Sequence, residues 1–408
     1  MTPSPRRCLI PAAVAVVASV AALTSVAAPA TAADEPERRV QVAMVNFTDS
    51  RISDAGKLET ALKDNYFGAS GSLTSYYNEV TGGATTFKAA EGDGVTGPVD
   101  IDLAATGCDT GKINELTRKA LAAQGVAEDS YDHLSLVFPS EKAGCDWLAL
   151  GTVGGGTTWM PIGADGKMSM TALVHEFGHN FGYSHHMRLR CPEGDLGAGC
   201  KEAGTSHKTP MGGGGWEAGL TSPELLHNKW LSGGEVAKVG KSGTYTLRPL
   251  YGSGSGVRAL DIPLGDDRLV VELRHESGTV DGEIQGVHAY RVPGGDYAKS
   301  ALLDPTSDAD ADALKAGTAL TDKARKVKVE VVKAGAESAT VEVSLNGVAA
   351  PAKPEQAAEK PNDTRPEGDS TELAETGGDS DTTLAYSIGG ALLLASGGAF
   401  LLKSRRRG

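Results

Sequence analysis

The sequence predicts an α+β protein: a twisted sheet with helices, followed by a smaller antiparallel β domain. Between Val40 and Phe138, apolar runs of strand type alternate with stretches of helical period, the pattern of a sheet backed by helices. From about Gly243 the texture changes to short alternating runs separated by turn residues, which reads as antiparallel β structure. Apolar residues make up 40% and charged residues 22% of the 408 positions, so the chain can bury a core and is not wholesale disordered.

Taken in order, Val40, Val42, Met44 and Val45 suggest a buried strand, and helical periodicity follows over Gly56 to Tyr66 and Ser72 to Val80. Thr86 to Asp102 is extended, with Gly and Pro breaks. In Lys112 to Ala123, Ile113, Leu116, Ala120 and Leu121 fall on one helix face. Leu134 to Phe138 is a strand. Leu148 to Val153 reads equally as an exposed edge strand or a buried one. Strands are then expected over Thr244–Leu247, Arg268–Leu273, Val287–Val292, Val327–Val332 and Ala339–Leu345. The expected limits are 33–235 for the first domain and 243–347 for the second.

The two ends read as processing signals. Arg6 and Arg7, an apolar stretch from Leu9 to about Leu23, and Ala30-Thr31-Ala32 form the three parts of a secretory signal peptide over 1–32, with Cys8 lost in the leader. Residues 348–372 carry Pro351, Pro354, Pro361 and Pro366 among Ala, Glu and Lys, an extended stalk of about 75 Å at ~3.1 Å per residue. Over 373–408, Leu373-Ala374-Glu375-Thr376-Gly377 precedes an uncharged run from Leu384 to Leu402 and a tail with Lys403, Arg405, Arg406 and Arg407. The run matches the roughly 20 residues of a spanning helix, and the basic tail holds its end in the cytoplasm.

A formal charge of −13 argues against a nucleic-acid partner. Outside the leader, Cys108, Cys145, Cys191 and Cys200 form an even set in an exported chain. Cys191 with Cys200 closes a short Gly-rich loop, leaving Cys108 with Cys145. Thiolate zinc ligation lacks any C-x-x-C spacing.

Residues 173–186 read LVHEFGHNFGYSHH. On a helix, His175 and His179 lie about 40° apart, one turn above the other, and can share one metal ion. Glu176 adjoins the first ligand without pointing the same way, which suits a group that works on metal-bound water. His185 would stand about 15 Å up the axis if the helix continued, so it joins the site only if the helix stops. Gly182 provides the stop. Three neutral His ligands leave an open fourth position, the arrangement of a catalytic zinc.

These residues carry a resemblance. HEFGHNFGYSH matches HExxHxxGxxH of the metzincin zinc proteases in every specified position. The clan's Met-turn has a counterpart in Thr209-Pro210-Met211-Gly212, with no Tyr ligand shortly after. Within the clan the chain is similar to the gametolysin-type peptidases, on Cys145-Asp146-Trp147, the HEFGHNFG helix and the β-rich stretch after Trp230-Leu231. The resemblance implies a metzincin-like catalytic domain and a zinc endopeptidase acting on protein or peptide substrates. One catalytic Zn2+ would sit on His175, His179 and His185, with Glu176 as general base and Met211 beneath. The LAETG signal resembles those cut by sortases between Thr376 and Gly377, with Ala where the commonest form has Pro. It implies a sortase and a signal peptidase as partners and covalent attachment to cell-wall peptidoglycan.

Two other readings stay open: an adhesin or binding module with a vestigial metal site, which has no need of Glu176, and a zinc hydrolase acting on wall peptides. His186 is expected at the surface, and His207 and His227 near the cleft. Asp304, Asp308, Asp310 and Asp312 lack the spacing of a calcium loop and read as a solvated turn, so calcium has no support.

Overall fold

Alternate residues of the first strand enter two different cores, so both faces of the first sheet are covered. The computed structural model describes residues 37–351 except Ala198 and residues 307–312. The signal peptide, the stalk beyond Pro351, Thr376, Gly377, the Leu384–Leu402 run and Asp308, Asp310 and Asp312 lie outside the described residues. No described helix is long and apolar enough to cross a membrane.

Strand β1 (Arg38–Asn46) sits within a six-stranded sheet with β2 (Phe87–Ala89), β3 (Val95–Asp100), β4 (His133–Pro139), β5 (Leu150–Gly151) and β6 (Thr157–Ile162). Every pairing in it is parallel except that of β5, which runs antiparallel along β6 at the sheet edge. Val40, Val42 and Met44 point to one core, with α1 (Ala55–Phe67), α2 (Leu73–Val80) and α4 (Met170–Asn180). Ala43, Val45 and Phe47 point to the other, with Leu134, Leu136 and Phe138 and with Ile113 and Leu121 of α3 (Thr110–Ala123). Helix starts follow side-chain caps: Asp54 accepts from the Lys57 N–H, Asp109 from Lys112, and Ser72 forms a capping box with Ser75. The Cys108–Cys145 disulfide ties the approach to α3 to the loop after β4.

The remaining strands make a sandwich. A seven-stranded sheet is built from β7 (Met187–Arg190), β8 (Lys201–Thr205), β9 (Val236–Lys238), β11 (Ala259–Leu264), β12 (Asp267–Arg274), β13 (Gly286–Val292) and β14 (Ala301–Asp304). A four-stranded sheet holds β10 (Gly243–Leu247), β15 (Ala319–Asp322), β16 (Val327–Ala334) and β17 (Ala339–Ser344). Leu269, Val271, Leu273, Val287 and Ala289 of the first meet Val329, Val331, Val341 and Val343 of the second in a shared core.

The larger sheet is not purely antiparallel, as the sequence texture suggests. β11 pairs in parallel with β9, and β14 with β7. β7 and β8 come from within 33–235, so strands from both sides of the expected domain boundary share one sheet. The reason is local: β7 begins two residues after His185, and the chain leaving the site runs directly onto that sheet. The Cys191–Cys200 disulfide closes the far end of the β7–β8 hairpin. All described residues fall in one compact unit.

Candidate metal centre

Helix α4 starts where Ser169 accepts the Ala172 N–H, and Leu173, Val174 and Phe177 bury one face against α1 and α2. Phe177 meets the rings of Tyr66, Phe87 and His133, and the Tyr77 hydroxyl donates to the Val174 carbonyl at 3.0 Å. That packing fixes the helix rotation, which places His175 and His179 on the opposite side, toward the Pro210 and Tyr183 carbonyls. The helix ends at Asn180, and Gly182 takes φ +96°. The Gly182 N–H donates to the His179 carbonyl and the Tyr183 N–H to the Gly178 carbonyl, turning the chain back. A side chain at Gly182 would be strained twice over, since its Cβ would also lie 2.9 Å from His227 Nε2.

The turn brings His185 beside the helix. Ring nitrogens of His175, His179 and His185 all lie within 4.8 Å of one another. His175 Nδ1 donates to the Pro210 carbonyl at 2.7 Å and His179 Nδ1 to the Tyr183 carbonyl at 2.7 Å, so in each neutral ring Nε2 carries a lone pair. Those two Nε2 atoms are 3.1 Å apart, close to the ~3.4 Å between neighbouring ligands at a tetrahedral zinc with Zn–N near 2.05 Å. Burial pushes His175 down to about 4 against the opposing pull of the Pro210 carbonyl, and burial also lowers His179. Neutral imidazoles with converging lone pairs fit a divalent cation. His185 is exposed, so the group opens to solvent on one side.

Glu176 is buried beside this group. Burial pushes its carboxyl up to about 7, against a donated Gly151 N–H that favours the ionised form. Gly151 lies on β5, where a Cβ would overlap the Glu176 backbone, so a glycine is needed for the edge strand to lie on the helix. Asn180 joins the same strand region: its side-chain amide donates to the carbonyls of Thr152 and Thr157. β5 is the sheet edge, with Leu150 at 37% exposure and Leu148 and Val153 on either side of it at 69% and 63%.

Met211 lies under α4, its Sδ occupying the space a Cβ on Gly178 would need. The turn carrying it is closed by the Gly212 and Gly214 N–H groups donating to the Thr209 carbonyl. The His186 N–H donates to the Met211 carbonyl, linking the turn to the residue after His185. Glu224, on α5 (Ser222–His227), accepts from the Thr209 hydroxyl through both carboxylate oxygens and from the Thr221 N–H.

Other sites differ from expectation. His186 is buried, not at the surface, because β13 crosses over it and Tyr290 packs edge-on to its ring at 5.4 Å. Asp304 is likewise buried: Arg188 and Thr306 occupy its carboxylate, which is not a solvated turn. His207 lines a cavity of about 520 Å³ with Arg188, Lys208 and Glu217, while His227 packs on Tyr183. Glu224, Glu272, Arg274 and Asp281 went unmarked by sequence. For Glu272 and Arg274, charged residues inside an otherwise apolar strand were the available signal.

Residues 69–246 match the profile of the family described as gametolysin peptidase M11, which supports a gametolysin-type metallopeptidase. Such peptidases are typically zinc-dependent, and the three histidines supply nitrogen donors for a metal. No match was found among curated proteins. Among solved structures, one described as the structure of a chaperone-substrate complex is 13% identical, covering 46% of this chain and 30% of that one, with a TM-score of 0.26. Wild-type OgpA from Akkermansia muciniphila is 13% identical, covering 65% of this chain and 87% of that one, with a TM-score of 0.31. The chain thus spans 30% of the length of the first, and neither likeness is strong enough to support a shared fold.

Proposed function

We propose that the protein is a secreted, wall-anchored zinc endopeptidase of the metzincin type. The observation that carries this reading is the convergence of three imidazoles beside the buried carboxyl of Glu176, on a helix that stops at Gly182. His175, His179 and His185 would hold the ion, with Met211 beneath them. When bound, zinc would supply Lewis acidity at the scissile carbonyl.

The rest of the chemistry belongs to the chain. Glu176 takes a proton from the attacking water at a carboxylate oxygen and returns it to the leaving amine. Burial favours the protonated form of this carboxyl, which suits it to hold the proton between the two transfers. The Gly151 N–H on the edge strand favours the ionised form of that carboxylate. The exposed edge of β5 offers an extended substrate a strand to pair with, and its backbone is tied to α4 by Asn180. Incubation of the purified chain with a diverse peptide library should give cleavage that a chelator abolishes and zinc restores. Cleavage indifferent to the chelator would contradict the assignment.

Secretion and anchoring rest on the two ends of the sequence: the leader at 1–32 and the ordered set of LAETG, apolar run and basic tail. On this reading a sortase joins Thr376 to peptidoglycan after a signal peptidase has removed the leader. Mass spectrometry of wall-released protein should find a C-terminal peptide ending at Thr376. Peptides from beyond Gly377 would instead mark a permanent membrane anchor.

A further inference from the structure

Beneath the metal centre, the face of β12 and β13 turned toward α5 is apolar at Val270 and Val292 but carries a buried ionic cluster at Glu272 and Arg274. Arg274 is fully buried, and its guanidinium makes five hydrogen bonds. Nε and one Nη donate to the two oxygens of Asp281 at 2.6 and 2.5 Å, and the other Nη donates to Glu272 at 3.0 Å. The remaining two bonds reach the backbone: the Lys208 carbonyl at 3.2 Å and the Gly219 carbonyl at 3.0 Å.

Those two carbonyls bracket the turn that carries Pro210 and Met211. Downstream, the Gly219 N–H donates to Asp281 and the Ser222 N–H to Glu272. Glu272 is itself held by the Tyr290 hydroxyl at 2.6 Å. The same turn supplies the Pro210 carbonyl that fixes the His175 tautomer. An ionic cluster costs desolvation that an apolar one would not, and its return here is a defined geometry at both ends of one loop.

We propose that Arg274 is a positioning residue of the metal centre: from the β sheet it fixes the ends of the 208–219 segment and, through the Pro210 carbonyl, the direction of the His175 lone pair. This rests on the zinc reading of the three histidines and adds to it a dependence on the β region. Lysine at this position keeps the charge but cannot span two carboxylates and two carbonyls with one ammonium.

The test uses the full chain. Arg274→Lys should weaken zinc binding, measured by competition with a chelating indicator, by about 10-fold or more. It should also shift the visible absorption bands of the cobalt-substituted protein. A folded Arg274→Lys with wild-type zinc affinity and an unchanged cobalt spectrum would overturn the proposal, because a merely structural arginine would lower the melting temperature and leave both untouched. A second measurement needs no variant. Because coupling is reciprocal, zinc should slow amide exchange at Gly219 and Ser222 in the wild type more than in β16 of the far sheet. Equal effects in both places would count against it. A wild-type chain that binds no zinc would remove the functional reading itself, and this inference with it.

Discussion

Two polar clusters lie close together in this molecule and solve opposite problems. In the Glu272–Arg274–Asp281 cluster every guanidinium donor has an acceptor, and the two carboxylates facing the one cation also accept the Gly219 and Ser222 N–H groups and the Tyr290 hydroxyl. In the His175–His179–His185 cluster the Nδ1 protons of the first two rings are spent on backbone carbonyls, and the Nε2 lone pairs face each other at 3.1 Å. The first cluster is complete in itself; the second leaves converging acceptors that a shared cation would satisfy. The difference separates a scaffold from a site without any appeal to motif: satisfied charge holds a shape, and converging acceptors await a ligand.

The largest effect expected on this comparison falls on the open cluster alone. Glu176→Gln should lower kcat by about 10²- to 10⁴-fold, because the amide cannot accept the proton. Zinc content and melting temperature should hold, since no ligand is changed. Near wild-type turnover in that variant would end the general-base assignment.

A smaller effect belongs to the scaffold beneath the Met211 turn. Burial pushes Glu224 up to about 7 despite the Thr221 and Thr209 donors. Its folded pKa therefore lies above the unfolded one, near 4.3, so its stabilisation is full below pH 4 and is lost as pH rises through 7. Relative to Glu224→Gln, the wild type should lose on the order of 3 kcal/mol between pH 4 and 8. Parallel stability curves for the two proteins in urea titrations would show that Glu224 stays ionised in the fold.

The open cluster was largely legible in the sequence because its parts are local. Residues 175 to 185 are joined by one helical turn, one glycine and one reversal, and helix geometry converts that spacing into position. Met211 was readable only through the motif's company. The closed cluster was not legible, because Arg274 and the Gly219 carbonyl it holds are 55 residues apart and no short-range period connects them. His186 was misplaced for the same reason: only the crossing of β13, a hundred residues on, buries it. Among strands, β1, β4, β12, β13, β16 and β17 follow from alternating or continuous apolar runs. β6 did not, since TTWMPI contains Pro161 and no clean alternation, and β7 joins its sheet through long-range parallel pairing.

The account stands on the three imidazoles sharing one ion. Elemental analysis of the purified chain and of His185→Ala, both dialysed against buffer with trace zinc, addresses this directly. One zinc per wild-type chain and a large loss of zinc in the variant are expected, because two imidazoles four residues apart cannot complete the site. Full zinc occupancy in His185→Ala would show that the third ligand lies elsewhere, and no zinc in the wild type would show that the three rings hold no such ion.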